Sequence, residues 1–288
     1  MSSMFWKRGC TLAFVLGCTA CSSPPAQGPE TLTAGTESVT LHLEPYVGRL
    51  VTLSPVLGQD TLRMLFDTGG GETIIIPSVA ETVSCVPNGR SVGFRMSGEQ
   101  VEWPMCPDLE FRFASEYVHD SRVGVWDLMA ILPEGLPHLD GLVSLETFRD
   151  RLLTIDLSER RIVVESEASF RARVSRMSRL QARIATGTDG GHLDLFVQGR
   201  LSDSEEELWF LVDSANLSDV LLGPHLAAAL ESSEVDIILA DSLRVRAAAS
   251  SSDIIYDGAL SEAFLRQIVL SVDLRTGQAW ATRSSSAS

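Results

Sequence analysis

Lysine is almost missing from this chain: Lys7 is the only one in 288 residues. A P-loop, a Ser–Lys dyad and a Schiff-base enzyme each need a lysine inside the folded domain, so all three are excluded. Histidine is scarce too. His42, His119, His138, His192 and His225 are scattered, with no pair at metal-binding spacing, so no metal site is expected. No Gly-x-Ser-x-Gly elbow occurs, which argues against a serine hydrolase. Long apolar runs are lacking: Gly9 to Gly17 is far shorter than the roughly 20 residues of a spanning helix. Positive charge is short as well. The formal net charge of −15 repels phosphate backbones, and no nucleic-acid partner is expected.

What remains suits a β protein. Hydrophobic residues make up 44% of the chain, enough for a packed core, while aromatics are only 7% and glycine and short β-branched runs are common. The first residues read as a targeting segment. Lys7-Arg8 precedes the apolar stretch, which ends in Val15-Leu16-Gly17-Cys18-Thr19-Ala20-Cys21. Small residues before a cysteine resemble a bacterial lipoprotein signal, with Cys18, or else Cys21, as the acylated N-terminus. Residues 1–17 are then the signal and 18–37, rich in Ser, Pro, Gly and Thr, a tether. The expected location is the bacterial cell envelope, facing the periplasm or exterior, with membrane contact through the lipid alone. Outside this segment only Cys85 and Cys106 remain, and an even pair in an oxidising compartment reads as a disulfide. Its loop of about twenty residues is worth roughly 3 kcal/mol by chain entropy.

From Ser38 the sequence alternates as half-buried strands do: Val39, Leu41 and Leu43 against Thr40, His42 and Glu44. Strands are expected over 49–56 and 61–66, joined by the turn Gly58-Gln59-Asp60, with Pro55 marking a sheet edge. Residues 88–127 read as hairpins. The stretch 166–190, carrying Arg171, Arg173, Arg176, Arg179 and Arg183, reads as a solvated join whose arginines pair with nearby acids.

The most informative feature is a duplication. Leu65-Phe66-Asp67-Thr68-Gly69 returns as Leu211-Val212-Asp213-Ser214-Ala215, each after an apolar run. Asp140-Gly141-Leu142-Val143-Ser144 returns as Asp257-Gly258-Ala259-Leu260-Ser261, and Thr154-Ile155-Asp156 as Ser271-Val272-Asp273, both offset by 117 residues. Two copies of one unit, each with an Asp on a tight turn, can bring two carboxylates face to face.

The Asp67 segment, with Gly70, Gly71, Glu72 and Thr73 following, resembles the active-site loop of retropepsin-like aspartic peptidases. The resemblance covers roughly 40–165 and again 190–282. It implies a mostly β fold with two tandem acid-protease lobes, 38–165 and 191–283, forming a pseudo-dimer around a central cleft. It also implies Asp67 and Asp213 as the catalytic dyad, with Thr68, Gly69, Ser214 and Ala215 in the supporting loops. Peptide or protein would be the substrate, without metal or cofactor, and no homodimer would be needed. Two carboxylates a few ångströms apart share a proton; the ionised one activates water while the other protonates the scissile carbonyl. The hydroxyls of Thr68 and Ser214 can bridge the loops.

Three positions depart from the family pattern: Ala215, Ser144 and Ser261 stand where glycine is usual. At Ala215 the added methyl is expected to crowd the carboxylate and to resist positive φ. A lobe that kept the fold and binds peptides without cutting them is the alternative reading.

Overall fold

The computed structural model describes residues 37–286, except 121, 188–189, 231–232 and 241–242. The signal segment, Cys18 and Cys21, and the tether up to residue 36 lie outside the described residues. Among the described residues no helix is long and apolar enough to cross a membrane.

The fold is mostly β, in sheets of eight, seven, six and four strands with only short helices between them. Its centre is built twice. Strand Met64–Phe66 runs parallel to Gly141–Val143, which pairs antiparallel with Ile74–Ile75, and that in turn runs parallel to Val123–Val125. Strand Leu208–Val212 runs parallel to Gly258–Leu260, which pairs antiparallel with Val220–Leu222, and that runs parallel to Leu243–Ser251. Strands covered on both faces require apolar residues throughout, which is why Met64-Leu65-Phe66 and Phe210-Leu211-Val212 show no alternation.

The repeated Asp-Gly pairs do the same mechanical work in both halves. Asp140 Oδ2 accepts the backbone N–H of Arg63 at 2.7 Å, and Asp257 Oδ2 accepts that of Trp209 at 2.8 Å. Each carboxylate thus holds the strand that delivers an Asp loop. The following glycine lets the next strand come close: a Cβ at Gly141 would lie 2.0 Å from the Ile74 carbonyl oxygen, and one at Gly258 would lie 2.8 Å from that of Leu221.

Ser144 and Ser261 have extended, negative-φ backbones and cap the short helices Leu145–Phe148 and Glu262–Leu265. Their hydroxyls accept from Glu146 N at 3.1 Å and Phe264 N at 3.4 Å. Serine in place of glycine therefore removes no needed left-handed residue, and an N-cap of this kind stabilises a helix by about 1 kcal/mol.

The halves meet in the six-stranded sheet, where Leu152–Asp156 pairs antiparallel with Ile268–Asp273. Thr154 faces Ser271, its counterpart in the duplication, and the two hydroxyls hydrogen-bond at 2.7 Å. Residues 166–190 are more than a bare join. They hold a helix, Glu167–Val174, and strands Ser178–Leu180 and Ala182–Thr186. Arg171 and Arg173 pair with Glu167 and Glu165, while Arg183 lies 4.3 Å over the Trp209 ring. The run 49–56 splits at Ser54-Pro55 between two sheets, so Pro55 marks a corner rather than an edge; a residue without N–H suits that break. Cys85 and Cys106 form the expected disulfide, with Cα atoms 5.9 Å apart.

Candidate active site

Asp67 and Asp213 each follow directly on a buried strand, Met64–Phe66 and Leu208–Val212, and both line one cavity of about 620 Å³. Their loops are cross-linked. Thr68 N–H donates to Ser214 Oγ at 3.0 Å, and Ser214 N–H donates to Thr68 Oγ1 at 2.9 Å. The hydroxyls then donate across, Thr68 to the Val212 carbonyl at 2.7 Å and Ser214 to that of Phe66 at 3.0 Å. Both side chains are fully buried, so each lost bond orphans a polar group in a dry site. Thr68→Ala is expected to lower unfolding free energy by about 2–4 kcal/mol. Thr68→Ser, which keeps the hydroxyl, recovers most of it; urea denaturation of both variants is the check.

The carboxylates receive matched backbone donors. Gly69 N–H reaches Asp67 Oδ1 at 2.9 Å, and Ala215 N–H reaches Asp213 Oδ1 at 3.1 Å, joined there by Asn216 N–H at 3.1 Å. Neither Gly69 nor Ala215 has positive φ, so the backbone cost expected at Ala215 does not arise. What Gly69 supplies is room. A Cβ there would lie 2.7 Å from Asp213 Cγ, inside contact distance. In the peptidase proposed below, Gly69→Ala is therefore expected to displace the Asp213 carboxyl and to reduce turnover by about 10²-fold, the usual scale for an ångström-sized misplacement. Ala215→Gly, measured in the same assay, is expected to change little.

Electrostatics separates the two acids. Burial, then the neighbouring Asp213 charge, raises Asp67 to about 8, against the pull of Gly69 N–H and with a further push from Asp194. Burial also raises Asp213, to about 6, but its two backbone donors hold it lower. Asp213 is thus the first to ionise and Asp67 the one that keeps a proton.

Over the cavity lies the hairpin of strands Arg90–Phe94 and Gln100–Cys106. Its tip is tied across the cleft by Ile255 N–H donating to the Met96 carbonyl at 2.9 Å. Its base is fastened to the Asp67 loop by Glu72, which is buried and accepts from Ser91 Oγ at 2.6 Å and Trp103 Nε1 at 2.9 Å. Trp103 lines the cavity. The next hairpin, Leu109–Phe113 with Glu116–Asp120, pairs with Val56–Leu57.

Sequence reasoning missed several polar lining residues, among them His192, Asp194, Asn216 and Tyr256. Asp194 is the most consequential. It is the second residue of the strand Leu193–Leu201, and its carboxyl is raised from the ordinary value by burial. The one signal available was a lone acid between Leu193 and Leu195, which alternation assigns to a solvated face.

No family model matches this chain, and no curated protein matches it. Solved structures do. The chain is similar to basic 7S globulin from soybean, with TM-score 0.56 and 10% identity over 86% of this chain and 95% of that one. It is also similar to conglutin gamma, a basic 7S globulin from lupine seeds, with TM-score 0.54 and 9% identity over the same shares. At such identities the likeness is one of fold.

Proposed function

We propose that this protein is an aspartic-type endopeptidase of retropepsin-like type, two lobes of one chain forming a pseudo-dimer with its dyad, Asp67 and Asp213, in the cleft between them. The observation that carries the reading is the pair of Asp loops, reciprocally hydrogen-bonded through Thr68 and Ser214, that open on one cavity. In this mechanism the Asp213 carboxylate removes a proton from a water molecule, which attacks the peptide carbonyl. The Asp67 carboxylic acid protonates the carbonyl oxygen, giving a tetrahedral diol. Collapse of that intermediate breaks the C–N bond as the amine leaves with a proton from the dyad. The hairpin over the cavity excludes bulk water and strengthens these interactions.

The lipoprotein-type signal at residues 1–17, with Cys18 or Cys21 acylated, would tether the enzyme to the bacterial envelope, acting as a monomer. The test is cleavage of an acid-denatured protein mixture by the purified protein, followed by mass spectrometry. Cleavage that persists in Asp213→Asn rules out the dyad.

A further inference from the structure

The cavity contains a carboxylate that the chemistry above does not use. Asp194 has a side chain only 13% exposed. Its nearest ion-pair partner is His192 Nε2 at 3.7 Å, beyond hydrogen-bond distance, and it accepts no hydrogen bond among the described residues. A largely buried carboxylate with no donor from the protein leaves its oxygens open to a ligand in the cavity. The walls offer no relief. Arg95, the cavity's arginine, is drawn to Glu99 at 3.3 Å and lies 6.0 Å from the Trp126 ring. The ionised Asp213 adds further negative potential. The site therefore favours a cation.

A second, independent group points to the kind of molecule that brings it. Asn216 lines the same cavity and is 8% exposed. Its Oδ1 accepts from Ser218 N at 2.9 Å, while its Nδ2 has no partner among the described residues. This donor is enclosed as it stands, and a turn of the Asn216 side chain would bring it to a carbonyl oxygen in the cleft. An unused carboxylate and an unused amide N–H in one cleft are together complementary to a peptide that carries a basic side chain. Tyr256, whose phenol is raised by burial and by the charges of Asp194 and Asp213, stands beside them as an aromatic wall.

We infer that Asp194 is a specificity-determining residue that receives an arginine or lysine side chain of the bound peptide, with Asn216 holding a backbone carbonyl of the same chain. This rests on the peptide-cleft reading and narrows it to basic substrates.

The test separates recognition from cleavage. Fluorescence polarisation would measure binding of fluorescein-labelled octapeptides to the Asp213→Asn protein. In these peptides one arginine is walked through an alanine frame containing a single phenylalanine, and each has a counterpart with neutral citrulline in its place. At one or more registers arginine is expected to bind at least about tenfold more tightly than citrulline, about 1.4 kcal/mol. Adding Asp194→Asn should reduce that ratio below about threefold, while Asp194→Glu, which keeps the charge, should retain part of it. A single cooperative melting transition in each variant, at a temperature no lower than that of the Asp213→Asn parent, confirms that they are folded. Peptides that bind with no preference for arginine, or a preference that survives Asp194→Asn, overturn the inference and leave the cleft reading intact. If no peptide binds at all, the cleft reading falls and the inference falls with it.

Discussion

Asparagine in place of either Asp67 or Asp213 is expected to lower kcat/KM on an unfolded protein substrate by at least about 10³-fold, the scale of a lost general acid or base. The two losses should be similar and non-additive, because one proton is shared between two groups that act as a unit. The wild-type pH profile carries the electrostatic half of the argument. With Asp213 raised to about 6 and Asp67 to about 8, the singly protonated dyad fills the interval between them. A bell-shaped kcat/KM near neutrality is expected, rather than the strongly acidic optimum that unshifted carboxylates would give. Initial rates from pH 3 to 9 decide this. A maximum below pH 4 would mean that the cleft does not desolvate the dyad, and equal activity in Asp67→Asn would remove its assigned role.

Stability should fall with rising pH while activity climbs the acid limb of that bell. A carboxyl raised in the folded state keeps its proton when the unfolded chain has released it. Folding then takes up a proton across the window from the ordinary carboxylate value of 3.8 to about 8. By linkage, stability falls as pH rises through that window, and the whole penalty is present above it. Asp67→Asn removes the ionisable group and its penalty, so at pH 8 the variant should be more stable than the wild type. Each pKa unit is worth about 1.4 kcal/mol. Asp67 is half-buried and opens on the cavity, so water screens part of the shift; a gain on the order of 2 kcal/mol is expected, about 4–8 °C in Tm. At pH 4 the two proteins should melt alike. The variant keeps some pH dependence, because Glu146, raised to about 8 by burial and by Asp120, remains. Calorimetry at both pH values tests this, and an Asp67→Asn protein less stable than wild type at pH 8 would show that the acid is not under strain.

The Asp loops and their cross-bonding hydroxyls were legible because they are local. An apolar run ending in Asp-Thr or Asp-Ser, repeated with matched downstream segments, states its own chemistry. The disulfide was legible by elimination of other cysteines. The strain expected at Ala215 was misjudged, because φ depends on the turn that the chain adopts and not on the residue that usually occupies it. Asp194 was not legible at all. Its strand neighbours are leucines, and alternation alone cannot tell a face toward solvent from one toward a cleft made by a distant segment.

The sequence by itself determined that this chain carries one unit twice, each copy ending a buried strand in an acid, since strand burial and turn chemistry act over a few residues. Tertiary structure decided what those acids face. Packing the halves through Thr154 and Ser271 gathers a third carboxylate, an unused amide and a covering hairpin around the two repeated acids. Only long-range packing can do this, because Asp67 lies more than a hundred positions from both Asp194 and Asp213.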